Sequence, residues 1–180
     1  MRLYRTLVAV ALGAVMTVSG AIAETPKNTL VIADAIDDII TLDPAEVSEV
    51  GGVLASQQIY QPLVTFDPAD PTNIIPVLAE SWTVSEDGKT FTFKMNPAAK
   101  FASGNPVTAA DAEYSIRRVI LIDSRISFIF AQFGLNKDNV AEKVKALDAS
   151  TLQFEVDQKY APSFLRKTAA GASTPSPGSG

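Results

Sequence analysis

The sequence predicts a mixed α/β domain of the α+β kind, and three features carry that prediction. Two pairs of alternating apolar and polar runs each wrap around a turn signal, at 82–95 and 144–156, and a capped helical stretch at 109–121 lies between them. The chain has no cysteine, so stability rests on a packed core and not on disulfides.

Taken in order, Arg2 and Arg5 precede an apolar run from Leu7 to Val18, which closes on Gly20-Ala21-Ile22-Ala23. This is the pattern of a secretory signal peptide, residues 1–23, with an A-x-A cleavage site. The run is about a dozen residues, short of the roughly 20 that cross a bilayer. Removing Arg2 and Arg5 from the 15 basic residues leaves 13 against 20 acidic ones, a net charge of -7 for the chain from Glu24. Nucleic acid is excluded as a partner by that balance, because binding phosphates takes clustered Lys and Arg.

Thr29 to Ala35 is a short run rich in branched residues and reads as a buried strand. Asp43-Pro44 is a stop-and-start signal, and Val47, Val50 and Leu54 follow at helical spacing, predicting a helix from about Ala45 to Tyr60 that Gly51-Gly52 weakens. Trp82 and Val84 alternate with polar neighbours, Ser85 to Lys89 holds an Asp-Gly turn, and Phe91, Phe93 and Met95 alternate again. That is a hairpin with one buried face, Phe91 and Phe93 in the core.

Thr108 stands three residues before Asp111, and Ala112, Ile116, Val119 and Ile120 share one face of a helix from about Ala109 to Leu121. Arg117 and Arg118 are expected on its solvated side. Val144 to Leu147 and Leu152, Phe154 and Val156 flank Asp148-Ala149-Ser150 as a second hairpin, and Tyr160 to Lys167 is expected to start a further helix. The end of the chain, 168–180, consists of Ala, Gly, Ser, Thr and Pro only and is expected to be a disordered tail. One domain, 24–167, remains between signal peptide and tail.

Without His or Cys, the chain lacks the usual zinc ligands, a thiol nucleophile and the commonest base near neutral pH, and no cofactor is implied. An enzyme would have to use carboxylates such as Asp37-Asp38 or Glu86-Asp87. Adjacent strand residues point to opposite faces, whereas glycosidase chemistry needs two carboxyls about 5 to 10 Å apart around one bond. Neither pair is a natural solution, so a secreted carboxylate hydrolase is a lesser reading of the chain.

Leu78-Ala79-Glu80-Ser81-Trp82, then Asp87-Gly88-Lys89-Thr90-Phe91-Thr92-Phe93, then Lys100-Phe101, Gly104, Pro106-Val107-Thr108-Ala109 and Asp111 follow one another in an order that resembles family 5 of the bacterial extracellular solute-binding proteins. Leu42-Asp43-Pro44, Ile59-Tyr60, Val144 to Asp148 and Tyr160 to Phe164 extend the resemblance over about Asn28 to Leu165. Ala98 stands where the family usually has Gly, and Ala102-Ser103 where it often has His or Trp and a small polar residue.

The resemblance implies a two-lobed fold of the periplasmic-binding-protein kind, of which this chain is the N-terminal part, without the second lobe. It implies a periplasmic, monomeric protein whose partners are a peptide or other small solute and an ABC transporter permease in the inner membrane. A non-functional remnant or a stand-alone structural lobe is the alternative for a chain of this length. Within the chain, the expected ligand contacts are the polar exit of the first strand, Ile36 and Asp37 with Asp38, and the pair Gly51 and Gly52, where a missing side chain admits close backbone approach.

Overall fold

In a computed structural model of the chain, the described residues are 25–33 and 35–158, with the backbone of 173–175. The chain divides into two units, Met1–Asp34 and Ala35–Gly180. In the first, the described residues form no strand, and Leu30, Val31 and Ile32 are exposed by 83, 69 and 75%. The expected buried strand at 29–35 is thus corrected over its described residues 29–33. Branched side chains favour extended backbone, but a strand also needs a neighbour for its N–H and C=O groups, and no strand pairs with this run among the described residues.

The second unit begins with α1 (Val50–Ile59), β1 (Tyr60–Pro62), β2 (Val64–Phe66) and β3 (Ile74–Pro76), the last two forming an antiparallel ribbon. Its centre is a four-stranded antiparallel sheet. β4 (Ala79–Val84) and β5 (Thr90–Met95) form the first predicted hairpin, with Trp82 opposite Phe93 and Val84 opposite Phe91. Gly88 supplies the positive φ of 73° at its turn, and Asp87 Oδ1 accepts hydrogen bonds from Ser85 Oγ and the Lys89 N–H.

α2 (Ala109–Leu121) has the predicted bounds, and the Asp111 carboxylate accepts the Thr108 N–H at 2.8 Å and the Thr108 hydroxyl at 2.7 Å. Two single turns follow, α3 (Phe128–Ala131) and α4 (Val140–Lys143). The second predicted hairpin comes next, β6 (Val144–Asp148) with β7 (Thr151–Glu155).

The two hairpins join through β5 and β7, giving the strand order β4-β5-β7-β6, and α2 packs against β6 and β7. Phe91 lies opposite Phe154 and Phe93 opposite Leu152. These four, with Met95, Val144 and the α2 face of Ala109, Ala112, Ile116, Val119 and Ile120, form the core, which Phe130, Leu135 and Val140 extend. Phe91 and Phe93 are both 1% exposed, as the alternation predicts.

Two expectations are revised around the first helix. α1 starts at Val50, because Asp43 closes a separate turn: its carbonyl accepts the Glu46 and Val47 N–H groups and its Oδ1 accepts that of Ala45. The apolar stripe is also reversed. Val50 and Leu54 are exposed by 73 and 49%, while Gly52 and Ser56 are buried. The face with the smallest side chains lets the preceding chain approach closest, and close approach outweighs the hydropathy of the opposite face.

Tyr160–Lys167 lies outside the described residues, as do Met1–Ala23 and most of the tail. Within the tail, Ser173–Pro175 forms β8, antiparallel to β1, so those three residues depart from the expected disorder.

Candidate functional site

The sequence-nominated residues meet where the chain 35–41 lies on the first turn of α1. A Cβ built on Gly51 would stand 2.7 Å from Asp38 Oδ1 and 3.1 Å from Ile39 Cγ1. One on Gly52 would stand 2.6 Å from Val47 Cγ2 and 3.3 Å from the Thr41 carbonyl oxygen. Both glycines therefore permit close approach, and the group that approaches is the protein's own chain. Ile36 and Asp37 sit on the same segment and are exposed, Ile36 by 71%. The structure thus brings Asp38 and Ile39 onto Gly51 and leaves Ile36 and Asp37 facing outward.

Two further groups hold this region. Arg118 on α2 donates from Nη1 and Nη2 to Oδ1 and Oδ2 of Asp43, each at 2.6 Å. The hydrogen bond from Arg118 keeps the Asp43 carboxyl below its usual range, burial opposing it, and the same bond raises the Arg118 guanidinium. Glu49, just before α1, accepts from Ser48 N and Ser48 Oγ, both at 3.3 Å. Hydrogen bonds from backbone N–H groups, its own first and then that of Ser48, lower its carboxyl.

Arg117 and Arg118 were expected to face solvent, and both instead tie α2 to neighbouring chain. Arg117 pairs with Glu113 at 2.5 Å and donates to the carbonyls of Ala141 and Val144. A helical wheel places an arginine on the rim of the apolar face, but it cannot name a partner 75 positions away. No local signal would have found Asp43 and Arg118 as a pair.

Ile36, Ile40, Leu42, Val50, Leu54 and Ile59, on the segment before α1 and on α1 itself, are exposed. Among the described residues no three His, Cys, Asp or Glu side chains are grouped to hold a metal ion, and no helix is long and apolar enough to cross a membrane.

Comparison with known proteins gives the family of this capped helix on a hairpin-built sheet. Residues 73–178 match the model of the bacterial extracellular solute-binding proteins, family 5 Middle, and the chain belongs to that family. It is 36% identical over 147 residues to the nickel-binding periplasmic protein of Escherichia coli K12, covering 78% of this chain and 26% of that one. It is 34% identical over 158 residues to the probable D,D-dipeptide-binding periplasmic protein DdpA of the same organism, covering 86% and 29%.

Among solved structures, Haemophilus influenzae OppA in complex with the peptide RPPGFSPFR superposes with a TM-score of 0.66 at 26% identity, over 74% of this chain and 28% of that one. The Escherichia coli murein tripeptide binding protein MppA gives 0.62 at 29% identity, over 72% and 27%. The chain thus spans under a third of the length of the relatives it matches. The fold is that of part of a two-lobed periplasmic binding protein, as the resemblance implied.

Proposed function

We propose that the chain is the N-terminal part of a periplasmic solute-binding component of an ABC importer, which captures a peptide or similarly sized solute and passes it to an inner-membrane permease. Membership of a family of binding proteins supports this reading, and relatives named for peptide binding favour peptide as the cargo. The observation that carries it is the loop 36–41 seated on Gly51 and Gly52, with Ile36 and Asp37 turned outward.

In this reading Ile36 offers apolar contact and Asp37 a polar one. Gly51 and Gly52 set the height of the loop that presents them. The signal peptide 1–23 directs export with cleavage after Ala23, residues 24–167 supply lobe scaffold, and the mature chain is a periplasmic monomer. Ligand shifts an equilibrium between open and closed lobes through its preference for the closed form.

A chimera tests this: residues 25–158 replace the matching segment of the D,D-dipeptide-binding relative, and titration calorimetry follows di- and oligopeptides. The expected result is saturable binding that Asp37→Ala and Ile36→Ala weaken about tenfold, a change of about 1.4 kcal/mol each. A folded chimera that binds no peptide overturns the reading. The 180-residue chain alone should bind far more weakly, because each 100 Å² of contact left uncovered forgoes about 2.5 kcal/mol of burial.

A further inference from the structure

Asp87–Gly88 is the one Asp-Gly pair in the sequence. Such a pair is chemically labile, because the Gly88 nitrogen, with no side chain on its own residue to shield it, can attack Cγ of Asp87. A nitrogen–carbon bond forms, the carboxyl loses one oxygen as water, and a five-membered succinimide results. Water then opens either carbonyl of that ring, restoring aspartate or giving isoaspartate, in which the backbone runs through Cβ and Cγ. One water leaves and one returns, and no oxidant or reductant takes part.

In the turn between β4 and β5 both reacting groups are held by Ser85. Its carbonyl accepts the Gly88 N–H at 2.9 Å, and its hydroxyl donates to Asp87 Oδ1 at 2.5 Å. The same hydroxyl accepts the Thr90 N–H at 2.9 Å, and the Ser85 N–H donates to the Thr90 carbonyl at 2.9 Å, so Ser85 is itself pinned to β5. The Lys89 N–H donates a further bond to Asp87 Oδ1 at 3.0 Å. Ser85, Glu86, Asp87 and Lys89 are exposed, yet Gly88 is buried. The bond from the Ser85 hydroxyl, followed by that from the Lys89 N–H, keeps the Asp87 carboxyl below its usual range, in the carboxylate form that does not release water.

We infer that Asp87–Gly88 is a site of spontaneous backbone isomerisation, and that Ser85 is the positioning residue that keeps the reaction slow by engaging both the attacking nitrogen and the attacked carboxyl. Ring closure needs the nitrogen aimed at Cγ in a near-attack geometry, and each Ser85 bond has to break before that geometry can form. The place matters to the fold. This turn sets β4 against β5, with Val84 opposite Phe91 and Trp82 opposite Phe93, and one added backbone carbon at its tip works against that register. Asp123–Ser124, a second aspartate followed by a small residue, lies just past α2 and away from Ser85 in sequence, and serves as an internal reference.

The test incubates the folded chain, its Ser85→Ala and Ser85→Thr variants and the urea-unfolded chain at neutral pH, and measures isoaspartate at each position by enzymatic methyl labelling and peptide mapping. The unfolded chain is expected to accumulate isoaspartate at Asp87 fastest and the folded chain slowly. Ser85→Ala, with its circular dichroism unchanged, should gain it at Asp87 about three to ten times faster than the unsubstituted chain, the effect of one lost hydrogen bond to a charged group on a reaction barrier. Asp123 should stay level, and Ser85→Thr, which keeps the hydroxyl, should restore the slow rate. No faster gain in Ser85→Ala overturns the inference, as does an equal rise at Asp123 or a Ser85→Thr variant as fast as Ser85→Ala. If Ser85→Ala does not fold, the unsubstituted chain decides: folded and unfolded forms that isomerise at Asp87 at one rate overturn the inference.

Discussion

Arg118 grips Asp43 with two nitrogens on two carboxylate oxygens, each 2.6 Å away, across 75 positions of sequence. The pair fixes the chain ahead of α1 to the outer side of α2, so the loop bearing Ile36 and Asp37 is anchored by the sheet-bound helix. Planar bidentate geometry makes the contact specific to arginine.

Arg118→Ala is therefore expected to lower stability by about 1 to 2 kcal/mol, the range of a charge-assisted hydrogen bond with some loss to solvent screening. Arg118→Lys should recover little of it. Asp43→Asn keeps an acceptor for the Ala45 N–H but loses the ion pair, and should cost about 1 kcal/mol. Urea midpoints of the singles and the double variant check this: full additivity would show that the two residues do not interact.

Acid should act through carboxylates held low in the folded state. Asp148 accepts the Ser150 hydroxyl and N–H, the bonds that bring it down to about 2, and Asp43 is lowered mainly by Arg118. A folded pKa below the unfolded value contributes stability that is fully present above about pH 4 and is lost as pH falls toward the folded value. Stability should thus be level from pH 7 to 5 and decline below 4, and Asp148→Asn should reduce the decline. A chain whose urea midpoint is unchanged down to pH 2.5 would contradict this.

Phe93→Ala removes a ring that is 1% exposed between Trp82 and Leu152, and is expected to cost about 3 to 5 kcal/mol. Asp38→Ala, on an exposed loop, should change the urea midpoint little. The reverse order would place the core elsewhere.

The two helical glycines should separate on substitution. Gly51→Ala meets the end of the Asp38 side chain, which can swing aside, and alanine favours the helix by about 1 kcal/mol, so the net change should be small. Gly52→Ala meets Val47 and the Thr41 backbone and should be the more destabilising of the two. Thermal melts of both variants suffice to rank them.

What the sequence made legible was periodic and local. The hairpins around Asp87-Gly88 and Asp148-Ala149-Ser150, and the Thr108 to Asp111 cap, each involve residues within a few positions of one another, and all three stand as read. The readings that changed depend on distant neighbours. Thr29 to Ala35 has the composition of a strand, yet its described residues 29–33 form none, and Val50 and Leu54 have helical spacing on a helix whose glycine face is the one covered. The partners of Arg117 and Arg118 lie on other elements, beyond the reach of periodicity. For the candidate site, the sequence nominated the segment 36–38 and the pair 51–52 but could not tell that Asp38 lies against Gly51.

The strand order carries one more consequence, which concerns time. Each hairpin closes within a short stretch, yet two-stranded hairpins are marginal in water, and the seam that unites them bonds Lys94 to Thr151, 57 positions apart. A chain emerging from its N-terminus has completed β4 and β5 long before β7 exists. Throughout that interval the side of β5 that will receive β7 is an open ladder, and Phe91 and Phe93 lack the Phe154 and Leu152 that later cover them. The interval before Glu155 is made is thus when the half-built sheet exposes most of its apolar face and open ladder.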